Sequence, residues 1–242
     1  MMEFLTLFIS LRCTQACEHC LYGCSPIRGD HMNWDVFIKS ITIARENGIS
    51  TVNFFGGEPF LNPQVLSMLQ ETLESGLSLM LATNCRPLSD KRFFNEFYKI
   101  SEPYKERIVI YTARDKFHLK FFDPISVVDD LRSKNYSVFI QDYSNQVVAI
   151  SECNAKNTEL QKLNKGFSCC AASPKDHLGV LPDGGWTICP PSLEPFGSIF
   201  SNTLPQIVEF KRALPMRFKE GCTECLKDFK HFSERFRLRL LD

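Results

Sequence analysis

No apolar run in this chain approaches the ~20 residues that a bilayer-spanning helix needs, so no segment is a candidate for crossing a membrane. An export signal is missing too. The N-terminus, M-M-E-F-L-T-L-F, has neither a basic leading stretch nor a small-residue cleavage site. Net charge is absent: 28 Lys and Arg balance 28 Asp and Glu. That balance gives no bulk attraction to nucleic acid or to an anionic membrane. No internal repeat and no low-complexity tract breaks the sequence.

Apolar side chains and cysteine are plentiful. The 242 residues are 44% apolar with 21 Phe, enough for a sizeable core in one large domain, or one domain with a small appendage. The eleven cysteines are an odd number and fall in clusters. With no export signal, they read as thiols of a reducing, cytoplasmic compartment rather than as a disulfide framework.

The N-terminal part alternates short apolar runs with amphipathic stretches. Strands are expected at 4–11, 51–55, 77–82, 107–112 and 136–141, with a sixth candidate at 147–150. Helices are expected at 33–47, 63–75, 90–99 and 124–134, with Asn33 as a cap and Gly48 and Gly76 as stops. This order predicts repeated βα units around a parallel sheet. Residues 1–155 are too short for eight units and fit five or six, an open partial barrel of α/β class. After residue 155 the helical period weakens and cysteine density rises, so residues 156–242 read as a second, smaller domain. There, 178–181 and 186–189 flank P-D-G-G, a hairpin signal, and 202–213 and 224–240 read as helices.

The chemistry concentrates at strand ends. Cys13, Cys17 and Cys20 stand in C-x3-C-x2-C spacing after the first strand. Thiolates are soft ligands that select zinc, copper(I) or iron–sulfur clusters. A zinc site wants four protein ligands, and this loop offers three at tight spacing. A cubane here would keep one iron open. Cys24, just beyond, reads as a packing residue. Gly56-Gly57-Glu58-Pro59 follows the second strand, and glycines allow backbone to approach a ligand closely.

The cysteine loop and the G-G-E-P turn together resemble the radical S-adenosylmethionine (SAM) superfamily, over at least residues 4–143. The resemblance implies a [4Fe–4S] cluster on Cys13, Cys17 and Cys20, with SAM chelating the fourth iron. Reductive cleavage then yields a 5′-deoxyadenosyl radical that takes a substrate hydrogen. It implies roles for Gly56, Gly57, Glu58 and Pro59 around SAM, with Glu58 accepting from its ammonium. His19 stands where relatives usually carry an aromatic residue near the adenine. Asn84 is a SAM or substrate contact, and Thr112 and Arg114 are the hydroxyl and fork for the SAM carboxylate. Arg114, Asp115, His118 and Tyr143 are candidates for substrate binding or proton transfer.

The tail is similar to the SPASM/twitch extension of that family. Cys170, Gly184 and Cys189 precede Cys222-Thr-Glu-Cys225, while His231 and Arg235 stand where a longer cysteine series would continue. This favours one auxiliary [4Fe–4S] cluster, with ligands Cys169 or Cys170, Cys189, Cys222 and Cys225. The alternative is a four-cysteine zinc site. Four protein ligands leave no open iron, so the auxiliary cluster would accept electrons and favour net oxidation or cross-linking. Two substrate readings follow from the resemblance. One is maturation of a ribosomal peptide, against which stands the start of the chain at the barrel strand. The other is oxidation of a small molecule such as an aminocyclitol or sugar alcohol. A non-catalytic iron–sulfur protein is a third class. The implied electron donor is a flavodoxin or ferredoxin.

Overall fold

The structure is a computed structural model, and it describes residues 4–17, 20, 22–141, 178–187, 193 and 195–213. Five strands run parallel in the first half: β1 (Phe4–Ser10), β2 (Thr51–Gly56), β3 (Ser78–Ala82), β4 (Ile108–Ala113) and β5 (Ser137–Gln141). Helices α1 (Trp34–Glu46), α2 (Val65–Glu74), α3 (Lys91–Ser101) and α4 (Ile125–Ser133) connect them. The open α/β array predicted from the sequence is the observed fold.

Local chemistry explains the boundaries. Asn33 caps α1, its Oδ1 accepting from the Val36 N–H at 2.9 Å, and Asp90 caps α3 through the Phe93 N–H at 2.9 Å. The second helix starts later than Pro63. Glu58 caps a separate 3-10 turn, Pro59–Leu61, and Asn62 then turns the chain into α2.

β1 is buried along almost its whole length, which its continuous run L-T-L-F-I-S requires of a central strand. One face of the sheet carries Leu5, Leu7, Val52, Phe54, Leu79 and Ile110. These pack with Phe37, Met68, Leu69, Phe97 and Leu131 of the helices in a single core. The other face carries a row of aromatics: Phe8 opposite Phe55, and Tyr111 opposite both Ala82 and Phe139.

The segment after residue 177 joins this sheet. β6 (Gly179–Val180) pairs parallel to β1, Thr6 opposite Gly179, and β7 (Trp186–Thr187) pairs antiparallel to β6. The strand order is β5-β4-β3-β2-β1-β6-β7. The P-D-G-G turn forms the expected hairpin, with Asp183 Oδ1 accepting from the Gly185 N–H at 2.9 Å. Trp186, Ile207 and Phe210 bury into the same core, the last two from α5 (Leu204–Ala213). The expected strand at 147–150 and helix at 224–240 lie outside the described residues. So do His19, Tyr143, Cys169, Cys170, Cys189, Cys222 and Cys225. No helix among the described residues is long and apolar enough to cross a membrane.

Candidate active site

At the C-terminal ends of the strands lies an open cavity of about 260 Å³. Cys13, Cys17 and Cys20 line it together, with Gly56 and Gly57 from the end of β2, Thr83 and Asn84 after β3, and Thr112 from β4. The backbone explains how these groups meet. β1 ends in the cysteine loop, whose Cys13 N–H bonds to the Ser25 carbonyl at 3.1 Å. β2 ends against that loop: the Gly57 N–H donates to the Ser10 carbonyl at 2.7 Å and the Glu58 N–H to the Arg12 carbonyl at 2.8 Å. Gly56 has φ +125°, and a Cβ there would sit on the Ser10 carbonyl oxygen. At Gly57 a Cβ would lie 2.5 Å from the Arg12 carbonyl oxygen. The close approach that these glycines permit is therefore between the strand end and the cysteine loop itself.

Glu58 is fully buried and is not part of the cavity wall. Its carboxyl accepts from the Thr83 hydroxyl at 2.9 Å, the Asn84 N–H at 2.8 Å and the Phe60 N–H at 3.1 Å. It thus ties the end of β2 to the end of β3, with its acceptors engaged inside the protein rather than facing a ligand. Burial pushes its pKa up to about 7, even though the three donors pull the other way. Pro59 is buried in the turn that Glu58 caps.

The Asn84 side chain reaches back to the loop. Its Nδ2 lies 2.9 Å from Thr14 Oγ1 and 3.6 Å from Cys13 Sγ, while its Oδ1 accepts from the Arg86 N–H at 3.0 Å. Thr112 borders the cavity, and its hydroxyl is buried beside the Cys85 thiol. Arg114 is placed differently from its expected role. Its fork meets the Asp123 carboxylate at 3.0 and 2.9 Å, and it does not line the cavity. An arginine held by one carboxylate is a poor clamp for a second.

His118 lines the cavity, and Asp115 supports it from behind. The Asp115 Oδ2 lies 2.7 Å from His118 Nδ1, and its Oδ1 accepts from the N–H groups of Phe117 and His118 at 2.8 and 3.1 Å. Burial acts to raise the Asp115 pKa, but the His118 N–H, the His118 ring and the Phe117 N–H outweigh it and hold the pKa below the usual range. The carboxylate fixes the orientation of the ring through Nδ1.

Sequence reasoning missed several wall residues: Gln15, Tyr22, Phe55, Tyr111 and Gln141. Strand alternation carried a signal for two of them, since Phe55 and Tyr111 share the face of Phe8. Tyr22 and Phe55 meet edge to face at 5.2 Å, closing one side of the cavity with aromatic surface.

The donor set was tested for the implied cluster. Cys13, Cys17, Cys20, Cys24 and Cys85 are free thiols, so no disulfide takes up the loop. No three metal-binding side chains among the described residues converge on a single-ion position. A cubane does not ask for that, because each thiolate binds a different iron, and sulfurs spaced around one cavity suit it. Burial pushes Cys13 and Cys17 up to about 12, so both are thiols until a cationic centre displaces their protons. Cys20 is brought down to about 6, mainly by the Cys24 thiol beside it. The three soft donors around one cavity fit a cluster.

Residues 7–104 match the family model described as the radical SAM superfamily. A tungsten-containing aldehyde ferredoxin oxidoreductase cofactor-modifying protein of Pyrococcus furiosus is 30% identical over 92 residues, 37% of this chain and 26% of that protein. A putative peptide biosynthesis protein of Bacillus subtilis, YydG, is 26% identical over 130 residues, 52% of this chain and 40% of that protein. The matches thus span less than half the length of these curated relatives. Among solved structures, BtrN in complex with AdoMet and 2-DOIA superposes with a TM-score of 0.65 at 16% identity, covering 91% of this chain and 88% of that one. At that identity the likeness is one of fold. The cysteine loop, the parallel sheet and the family match agree: residues 7–104 carry the pattern of the radical SAM superfamily.

Proposed function

We propose that this chain is a radical SAM enzyme that removes a hydrogen atom from a peptide or small molecule bound over the aromatic side of the cavity. When bound, a [4Fe–4S] cluster on Cys13, Cys17 and Cys20 would supply the electron for reductive cleavage of SAM to a 5′-deoxyadenosyl radical. The observation that carries this reading is the one cavity wall shared by the three thiols of the loop, the Gly56-Gly57 strand end and the ends of β3 and β4. Thr112 would stand near the SAM carboxylate when SAM is bound, and Asn84 fixes the cysteine loop through Thr14. Gly56 and Gly57 hold the strand end flush against that loop. Tyr22, Phe55 and Tyr111 shield the site from water, which protects a reactive carbon radical.

Asp115 and His118 form the proton-handling pair, with His118 facing the substrate. Net oxidation would also need a one-electron acceptor. Cys169 or Cys170, Cys189, Cys222 and Cys225 suit an auxiliary [4Fe–4S] cluster in a twitch-type extension over residues 156–242 that shares the sheet and core of the first half, and a flavodoxin or ferredoxin suits the donor side. Similarity to YydG, a putative peptide biosynthesis protein, favours a peptide substrate. The ligand named with BtrN favours a small molecule.

Anaerobic protein reduced with dithionite is expected to convert SAM to 5′-deoxyadenosine. It should contain about eight irons per chain if both clusters assemble and about four after Cys17→Ala. A Cys17→Ala protein that still cleaved SAM would sink the assignment. Zinc in place of iron in the tail would remove the auxiliary cluster.

A further inference from the structure

Two side-chain amides touch the sulfurs of the cysteine loop. Asn84 Nδ2 lies 3.6 Å from Cys13 Sγ. Its orientation is fixed from the other end, because Oδ1 accepts the Arg86 N–H and only Nδ2 is left for the loop. Gln15 is the second. Its backbone N–H donates to Cys13 Sγ at 3.4 Å, and its side-chain Oε1 faces Cys17 Sγ at 3.5 Å. Gln15 is 3% exposed, so this amide is held beside the sulfur rather than free in water.

The Gln15 contact as drawn suits a thiol, whose S–H donates to Oε1. A metal-bound sulfur has no proton, and an amide oxygen facing a thiolate is repelled. Half a turn of the amide exchanges oxygen for nitrogen with little change of shape and presents Nε2–H to the sulfur. Cys13 and Cys17 then each receive a side-chain N–H. Reduction adds negative charge that spreads onto the thiolates. N–H dipoles aimed at sulfur stabilise the reduced form more than the oxidised one.

We propose that Gln15 and Asn84 are positioning residues that donate N–H···S hydrogen bonds to Cys17 and Cys13 and so raise the reduction potential of the cluster bound there. The inference rests on the radical SAM reading of this loop. It adds which side chains make the cluster reducible by a biological donor.

The test is an anaerobic, EPR-monitored redox titration of the full-chain holoenzyme with SAM present. The signal that changes on adding SAM identifies the first cluster. Gln15→Met keeps the volume and removes the donor. Asn84→Ser keeps an oxygen for the Arg86 N–H but is too short to reach Cys13. Each variant is expected to retain wild-type iron and sulfide and to titrate at a lower midpoint potential, with the double variant lower again. If Gln15→Met loses iron, Asn84→Ser alone decides by the same shift. Loaded variants that titrate at the wild-type potential overturn the hydrogen-bond inference and leave the cluster reading intact. A wild-type protein without a SAM-responsive signal overturns both.

Discussion

Glu58 and Asp115 are both closed off from solvent, yet their pKa values move in opposite directions. Glu58 has donors on both oxygens but lies deep in the fold, and desolvation wins. Its folded pKa is raised from 4.5 to about 7, so its contribution to stability is complete below pH 4.5 and is lost as pH rises through 7. The loss is on the order of 3 kcal/mol over that window. Denaturant unfolding at pH 5 and pH 8 should show wild type losing stability with rising pH. Glu58→Gln should abolish most of that slope, and at pH 5 it should be the less stable protein, since an amide cannot accept from every donor here. Asp115 lies nearer the surface, where its own loop supplies donors. Its depressed pKa contributes stability above the ordinary carboxylate range, lost on acidification. Asp115→Asn is expected to cost about 2 kcal/mol at pH 7 in the same assay, with the gap to wild type closing as pH falls. The sequence named both residues at strand ends. It did not reveal which of the two would face the site through a partner, because that depends on depth and on neighbours from other strands.

At the scale of elements, much was legible. Apolar period, caps and glycine stops located five strands and four helices to within a few residues, because each signal is local. The second helix began late because Glu58 caps a turn that periodicity does not report. The strand-end glycines show how an element creates the site. Gly56→Ala combines a φ of +125° with a collision against the Ser10 carbonyl, so it is expected to cost more than about 2 kcal/mol. The cysteine loop should lose iron in proportion, read by iron content after reconstitution. Gly29→Ala meets nothing within 4 Å and should stay within about 0.5 kcal/mol of wild type with full iron. A shared deficit in both variants would remove the contact argument. Arg114 marks the limit of reading by element: its place after β4 was expected, but Asp123, nine residues on, takes its fork.

For the whole molecule, the hairpin 178–187 sits on the free edge of β1, and its Trp186 is fully buried in the core shared by β1 and α1. Trp186 also donates to the Asn202 carbonyl at 3.3 Å. Trp186→Ala is therefore expected to cost about 3–5 kcal/mol. It should lower one cooperative transition, monitored by near-UV circular dichroism, rather than release the hairpin alone while the sheet stays folded. The sequence by itself determined the thiol spacing of the loop and the α/β order. Three thiols in eight residues, a G-G-E-P turn and alternating apolar periods are local patterns, written in adjacent residues. Only the tertiary structure decided that β6 closes onto β1, that Glu58 faces inward and that Gln15 and Asn84 reach the sulfurs. Those outcomes depend on desolvation and on hydrogen bonds between residues up to about seventy positions apart, and a linear pattern carries no record of which distant donor arrives at which acceptor.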